Sequence, residues 1–482
     1  MKIYDVVIIG AGVIGTSIAR DLARYKLDIA LLEKEEEPAF GVSKSNSGII
    51  HPGIQNSPSS LKGRLCVQGN FLIRSLSKEL NIDFKESGEL VVAFNEEETR
   101  ELLRLKKEAE SLGVPALEIV DKTWLRQNEP NLSAEVVAAL YAPTAGIISP
   151  YRLVYGLAEN AVKNGVEIFT ETKVENIIYS KPNFEIFSSK GLFRSRYVIN
   201  SAGLFADEIS KMLGVDYFKI RPRKGEEFIL DKKKENLTHH LILPLPSKTS
   251  KGVIIIKTAD GNPMIGPTAE DIEDKEDLST SDSGFNKVLS SARRLVPSIN
   301  DKDIIAYFAG LRPVAGDDFI IKHENKVPGF INVVGIQSPG LTASPAIALL
   351  VTSILKDSGQ ALKKKFIFHA HRKKTMHLFQ SPLLKAKKLI KKDPSYGDIV
   401  CRCEMVSAKE IRDAVKQGAK TMDGIKFRTR AQAGRCHGSF CTTRIMKILA
   451  EERKIPVISV TKRGKGSEIV KESRFCFSEQ KE

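Results

Sequence analysis

The chain has 482 residues, 42% of them hydrophobic, and a formal net charge of +15. That length implies two or three domains with sizeable cores, and no run approaches the roughly eighteen uninterrupted apolar residues of a membrane span. No basic segment or cleavage site precedes the first strand, so no secretory signal is expected; a cytoplasmic location is, with any membrane association made through a partner.

The first predicted strand is Ile3-Tyr-Asp-Val-Val-Ile-Ile9, and the loop Gly10-Ala-Gly12-Val-Ile-Gly15 follows it. Residues 13–25 carry apolar side chains at helical spacing, and Asp28-Ile-Ala-Leu-Leu-Glu33 is a second strand ending in an acid. Strand, glycine turn, helix, strand and acid in this register bind a dinucleotide. Gly10 permits the turn, Gly12 admits the pyrophosphate to the backbone, and Gly15 lets helix and strand pack. The helix N-terminus faces the phosphates and Glu33 takes the ribose hydroxyls. The loop alone serves NAD or FAD equally, but no second GxGxxG appears in the chain.

A polar, Gly-rich stretch, Ser43-Lys-Ser-Asn-Ser-Gly-Ile-Ile-His51-Pro-Gly53, leads away from the second strand past the cofactor. A helix is predicted over 61–80, a strand over 88–94 and a charged helix over 96–112. The single tryptophan, Trp124, reads as core packing. Residues 150–164 form a further helix, and 165–169 and 172–179 are strands. Tyr197-Val-Ile-Asn-Ser-Ala-Gly203 is an apolar strand ending in small residues, where backbone can approach the cofactor. Residues 219–230, 252–257 and 304–310 read as strands of a mainly antiparallel sheet. A buried strand, 330–335, runs through Gln337-Ser-Pro-Gly-Leu-Thr342 into a helix from about 343 to 355.

The basic charge is concentrated in residues 363–392, which hold eleven Lys and Arg and no Asp or Glu. The ordinary reading is a solvated helix or linker. The sharper one is a docking surface for an acidic partner or anionic lipid, and no nucleic-acid-binding module accompanies it. Pro394-Ser-Tyr-Gly397 then turns into a last domain, where Ser407-Ala-Lys-Glu410 is a capping box for a helix to about 417. A closing helix is predicted over 441–454.

Four of the six cysteines, Cys401, Cys403, Cys436 and Cys441, fall in this last segment. Clustering in a cytosolic chain reads as metal binding. Cys401-Arg-Cys403 on an extended chain would share one face. Four thiolates suit a [2Fe–2S] cluster; structural zinc is the rival, although its paired ligands usually stand two to four residues apart. His437 reads as an exposed loop histidine, and Cys66 and Cys476 as free thiols.

With these motifs placed, the N-terminal three-quarters resembles the FAD-dependent oxidoreductases of the D-amino-acid oxidase and glycerol-3-phosphate dehydrogenase type. The stretches that carry the match are 5–15, Asn46-Ser-Gly-Ile-Ile-His-Pro-Gly53, Asn200-Ser-Ala-Gly-Leu-Phe-Ala-Asp207, Asp260-Gly-Asn-Pro-Met-Ile-Gly-Pro267, Gly310-Leu-Arg-Pro313 and Ser338-Pro-Gly-Leu-Thr342. The Asn46 stretch is also similar to L-2-hydroxyglutarate dehydrogenases. Cys401-Arg-Cys-Glu404 with Gly434-Arg-Cys-His-Gly-Ser-Phe-Cys441 resembles bacterioferritin-associated-ferredoxin-like cluster domains. Both modules together are similar to the catalytic subunits of anaerobic glycerol-3-phosphate dehydrogenases.

The resemblance implies an α/β fold: a Rossmann-like FAD-binding domain interleaved with an antiparallel-sheet substrate domain, plus a small helical C-terminal [2Fe–2S] domain. The expected divisions are 1–366 (substrate part 86–145 and 216–318), a basic linker 367–395, the cluster domain 396–455 and a tail 456–482. Expected FAD contacts are Gly10, Gly12, Val13, Ile14, Gly15, Glu33, Lys34, Ser45, Ser47, Gly48, Val174, Ala202, Gly203, Gly310, Arg312, Gly340, Leu341 and Thr342. Arg312 is expected to bind an anionic substrate group, with a structural ion pair as the alternative. His51 is the expected base, with a structural role as the alternative, and Lys257 with Thr258 also lines the pocket.

The implied reaction is hydride transfer from glycerol 3-phosphate to FAD, giving dihydroxyacetone phosphate. Alternatives are a 2-hydroxy acid or amino acid as substrate, or an electron-transfer subunit without turnover. A cluster in the same polypeptide argues for a hetero-oligomer that delivers electrons to a flavoprotein, ferredoxin-like or quinone-reducing partner.

Overall fold

The computed structural model describes residues 2–246 and 251–470. Cys476 lies outside the described residues. The chain divides into two compact units. One comprises residues up to Lys34 and Pro38–Lys373, and the other Glu35–Glu37 with the described part of Lys374–Glu482.

The first unit is built on a parallel core. Strand Ile3–Ile9 pairs in parallel with Ile29–Leu32 on one side and with Gly191–Asn200 on the other. Phe330–Val334 adds in parallel to Gly191–Asn200. Their central residues, 6–9, 29–32, 198–199 and 330–331, are apolar because both faces are covered there. Helices Val13–Leu22, Leu61–Leu80, Pro150–Lys163 and Gly340–Asp357 pack on one face around Ile8, Ile18, Leu31 and Ile347, all fully buried. Each such side chain contributes on the order of 2 kcal/mol. The first helix is shorter than predicted: it ends at Leu22, where the Arg24 and Tyr25 N–H groups turn back on Asp21 and Leu22. The last helix is longer. It starts at Gly340 and carries Pro345 in its second turn.

The second sheet of this unit has nine strands drawn from two separated stretches of sequence. Glu89–Ala93, Glu118–Asp121 and Ala138–Ala142 supply one side, and six strands between Arg221 and Val314 supply the rest. Pairing is antiparallel except where Leu241–Pro244 runs parallel to Glu89–Ala93. The long pair Arg221–Leu230 and Ile304–Val314 forms its spine. Trp124 packs at its edge, 5.3 Å from Tyr141 and 5.6 Å from His240 between ring centroids.

The second unit is small and helical. Helices Ala408–Lys416, Met422–Thr429 and Thr442–Arg453 close on Ile411, Ile425, Ile445 and Leu449, with Val460 completing the core. The capping box is present: Ser407 accepts from the Glu410 N–H, and the Glu410 carboxylate accepts from the Ser407 N–H. The chain between Cys401 and Cys403 is not extended. The strand Ile399–Cys401 stops at the first cysteine, and a turn through Met405, at φ +53°, carries the second. Among the described residues no helix is long and apolar enough to cross a membrane.

Candidate functional site

The glycine turn and the acid form one assembly. Gly10 adopts φ +99°, and a Cβ there would stand 2.5 Å from the Ser201 carbonyl oxygen. A Cβ on Gly15 would fall on the carbonyl oxygen of Gly10, so helix and turn touch backbone to backbone. Glu33 is buried at the end of its strand and accepts a 2.7 Å hydrogen bond from the Ala11 N–H. The turn therefore fixes the Glu33 carboxylate in place. Val13 N–H, in the first turn of the helix, donates to Ser43 Oγ at 2.9 Å.

Several of the other expected flavin contacts lie in close approaches near the 42–48 loop and the helix that starts at Gly340. Gly310 lies against the 42–48 loop, where a Cβ would meet the Ser45 carbonyl oxygen at 2.5 Å. Ser47 is partly buried in the same loop, and Gly48 takes φ +74°. Ala202 N–H reaches Asn200 Oδ1 at 3.3 Å, and Gly203 opens a short turn at φ +58°. Thr342 Oγ1 donates to the Ile49 carbonyl at 3.3 Å and accepts from the His51 N–H at 2.9 Å. Gly340 and Leu341 precede it in the first helical turn. Lys34 places its ammonium 3.8 Å over the Phe205 ring, and Val174 is buried at the start of its strand. Small residues at every backbone crossing and an acid anchored on the turn fit a dinucleotide.

Beside this cradle lies a buried cluster of ionisable side chains. His51 is fixed by its backbone: besides the Thr342 bond, its carbonyl accepts from Asn70 Nδ2 at 3.0 Å and from Cys66 Sγ at 3.6 Å. Its Nδ1 lies 3.6 Å from Glu89 Oε2. Burial and the ammonium of Lys251 hold the imidazole below its usual pKa, against the pull of Glu89. Burial pushes the Cys66 thiol up to about 12, so it is an inert thiol.

Arg312 has its guanidinium held by backbone oxygens. It donates to the Thr268 carbonyl at 2.6 Å and to the Arg223 carbonyl at 3.4 Å. Among the described residues no carboxylate forms an ion pair with it. The carboxylates whose field reaches it are Glu227 and, more weakly, Asp271. Burial raises the Glu227 carboxyl to about 7 against the opposing Arg312 charge, and its Oε2 has no hydrogen-bond partner. Both amide atoms of Gln55 are likewise buried without partners.

Lys257 stands apart from this group, 3.8 Å from Glu235. The lysine coupled to His51, Cys66 and Arg312 is Lys251, which sequence reasoning missed, as it did Glu89 and Glu227. For Glu89 a signal existed. It begins an otherwise apolar strand at a core-facing position, in phase with Val91 and Ala93.

In the second unit the four thiols stand as two pairs. Cys403 Sγ and Cys436 Sγ are 3.4 Å apart, and Cys401 contacts Cys441. Contact with Cys441 holds the Cys401 thiol below its usual range while it pushes Cys441 up, so the two share one proton, and backbone amides of Gln432 and Glu404 also face Cys401. Two pairs match a dinuclear cluster, which takes two thiolates per iron, better than one tetrahedral ion. Gly434 packs on Cys403 and Gly438 takes φ +87°, so the backbone closes tightly on the ligand loops. His437 is exposed at φ +50°.

Fold and site define a flavin-dependent oxidoreductase fused to an iron–sulfur module. Residues 5–354 match the FAD dependent oxidoreductase family, to which the chain belongs, and residues 399–451 match the BFD-like [2Fe-2S] binding domain. Its cofactors are FAD and a [2Fe–2S] cluster, and it is an FAD-dependent dehydrogenase of glycerol-3-phosphate dehydrogenase-like type. It is 42% identical over 470 residues to the glycerol 3-phosphate dehydrogenase of Caloramator mitchellensis, covering 97% of this chain and 98% of that one. It is 35% identical over 375 residues to the glycerol 3-phosphate oxidase of Mycoplasma genitalium, covering 76% and 97%. The solved structure of dithionite-reduced L-alpha-glycerophosphate oxidase from Mycoplasma pneumoniae with FAD bound superposes with a TM-score of 0.74 at 31% identity, over 77% of this chain and 99% of that one.

Proposed function

We propose that the protein oxidises glycerol 3-phosphate to dihydroxyacetone phosphate and passes the electrons through its cluster to a partner subunit. The observation that carries the substrate reading is Arg312, a planar cation oriented by carbonyl oxygens and, among the described residues, in no direct ion pair with a carboxylate. Its fork suits a phosphate or carboxylate. When bound, FAD supplies a two-electron acceptor for a hydride and the cluster accepts electrons singly.

The chain's own residues supply binding, orientation and the proton path. Arg312 holds the anionic end of the substrate. His51 takes the proton of the reacting hydroxyl, since a neutral imidazole is its dominant form at pH 7 when burial lowers its pKa. Thr342 ties the His51 backbone to the first turn of helix Gly340–Asp357, whose N–H groups favour negative charge. Similarity to the dehydrogenase extends over 97% of this chain and so spans both modules. The partner is an electron acceptor, and any membrane association is made through it.

Anaerobic mixing with single substrates tests this reading. Glycerol 3-phosphate is expected to bleach the flavin absorbance. Bleaching by L-2-hydroxyglutarate or proline instead would move the substrate to a hydroxy or amino acid. No bleaching by any of a broad panel would leave an electron-transfer subunit.

A further inference from the structure

The carboxylate of Glu89 makes no hydrogen bond through Oε2, and its charge acts on the ammonium of Lys251 as well as on His51. The residue is 1% exposed, at the head of strand Glu89–Ala93. Its neighbours on the same face, Val91 and Ala93, lie in an apolar cluster with Ile49, Ile54 and Val67. Oε2 has no hydrogen-bond partner, although an ionised carboxylate away from water is unfavourable unless something engages it. The group it faces is the His51 ring, with Nδ1 3.6 Å away. That separation is too long for a hydrogen bond, but catalytic contacts tighten as charge develops.

We propose that Glu89 is a positioning residue for His51. Its carboxylate keeps Nδ1 protonated and turned inward, leaves Nε2 free to take the proton of the reacting hydroxyl, and stabilises the imidazolium so formed. The inference rests on His51 being the base. In the step, the substrate O–H bond breaks and an Nε2–H bond forms. The electron pair left on oxygen closes the carbonyl as carbon gives up its hydride to the acceptor that the cofactor supplies.

The other groups facing His51 oppose this charge. Lys251 repels an imidazolium, and Lys62 and Arg312 add to the positive field around that lysine. Cys66, on the helix behind, stays neutral. Glu89 is thus the anion that makes protonation of His51 affordable in a cationic pocket.

The test uses the full-length protein loaded with FAD and labelled with [15N]histidine. NMR titration, with His51→Gln to assign the signal, reads the ring directly, and anaerobic stopped-flow reduction by glycerol 3-phosphate reads the step. Glu89→Gln is expected to lower the His51 midpoint by about one pH unit and to slow flavin reduction by about tenfold or more. The acid limb of the rate profile should move down with the midpoint. Glu89→Asp, with the charge on a shorter arm, should keep the midpoint and slow reduction less. It carries the test if the glutamine variant does not retain FAD; its midpoint is expected to hold, and an unchanged rate in it then counts against Glu89. If His51→Gln abolishes reduction while Glu89→Gln leaves midpoint and rate unmoved, the Glu89 inference fails alone. If His51→Gln reduces as fast as the parent, the base assignment fails, and this inference with it.

Discussion

Arg312 sits at the end of the strand pair Arg221–Leu230 and Ile304–Val314, which brings the Arg223 carbonyl beneath its guanidinium. Arg312→Lys keeps the charge but not the fork. It is expected to raise KM for glycerol 3-phosphate by about ten- to a hundredfold, the loss of one charge-assisted hydrogen bond, with the flavin spectrum unaltered. Glu227 gives a pH signature. Its folded pKa of about 7 lies above that of an unfolded glutamate, so the native state holds the extra proton. Stability is therefore highest below the unfolded value and falls as pH rises toward 7. Glu227→Gln removes that loss, on the order of 3 kcal/mol, and thermal melts at pH 8 against pH 5 should show the difference shrink. Motif residues such as Gly10, Glu33 and Arg312 are legible in sequence because chemistry restricts each position alone. Lys251 and Glu227 are not, because their significance comes from different stretches of chain meeting; Glu89 carries a partial mark, opening an otherwise apolar strand, but the strand alone does not say which side chain it will face.

At the scale of elements, period and punctuation carried most of the information. The helix Leu61–Leu80 coincides with its predicted bounds, and the capping box starts the helix at Ala408. Errors fell where tertiary contacts decide: at the early end of the first helix and in the turn that carries Cys403. Alternation of side chains applies only to extended backbone, and the cluster loop is folded back so that each half contributes one thiol to each pair. One element-level prediction comes from close packing and one from a helix cap. Gly15→Ala, whose Cβ has no room against the Gly10 carbonyl, should purify without FAD, as its absorbance spectrum will show. Ser407→Ala removes a helix cap worth about 1 kcal/mol and should lower the melting point of the cluster module, read by loss of its visible dichroism.

For the whole molecule, the division of labour between modules is separable by experiment. Cys403→Ser should lose the cluster's absorbance while glycerol 3-phosphate still bleaches the flavin. Helix Leu383–Lys392 carries five exposed lysines and exposed Leu383 and Leu384, and none of its residues is buried. Replacing Lys385, Lys387, Lys388, Lys391 and Lys392 by Gln should slow reduction of the partner and leave flavin reduction by substrate unchanged. A parallel fall in both would exclude docking through this helix.

The hydrogen bond from the His51 N–H to Thr342 Oγ1 joins residues 291 positions apart. During synthesis, at roughly 5 to 20 residues per second, the glycine turn and the histidine leave the ribosome about 15 to 60 s before their partner is made. For that interval the nascent chain has a nucleotide-binding turn but no completed redox pocket. Chains arrested before Thr342 should therefore fail to retain flavin, and the flavin absorbance of such nascent chains checks it.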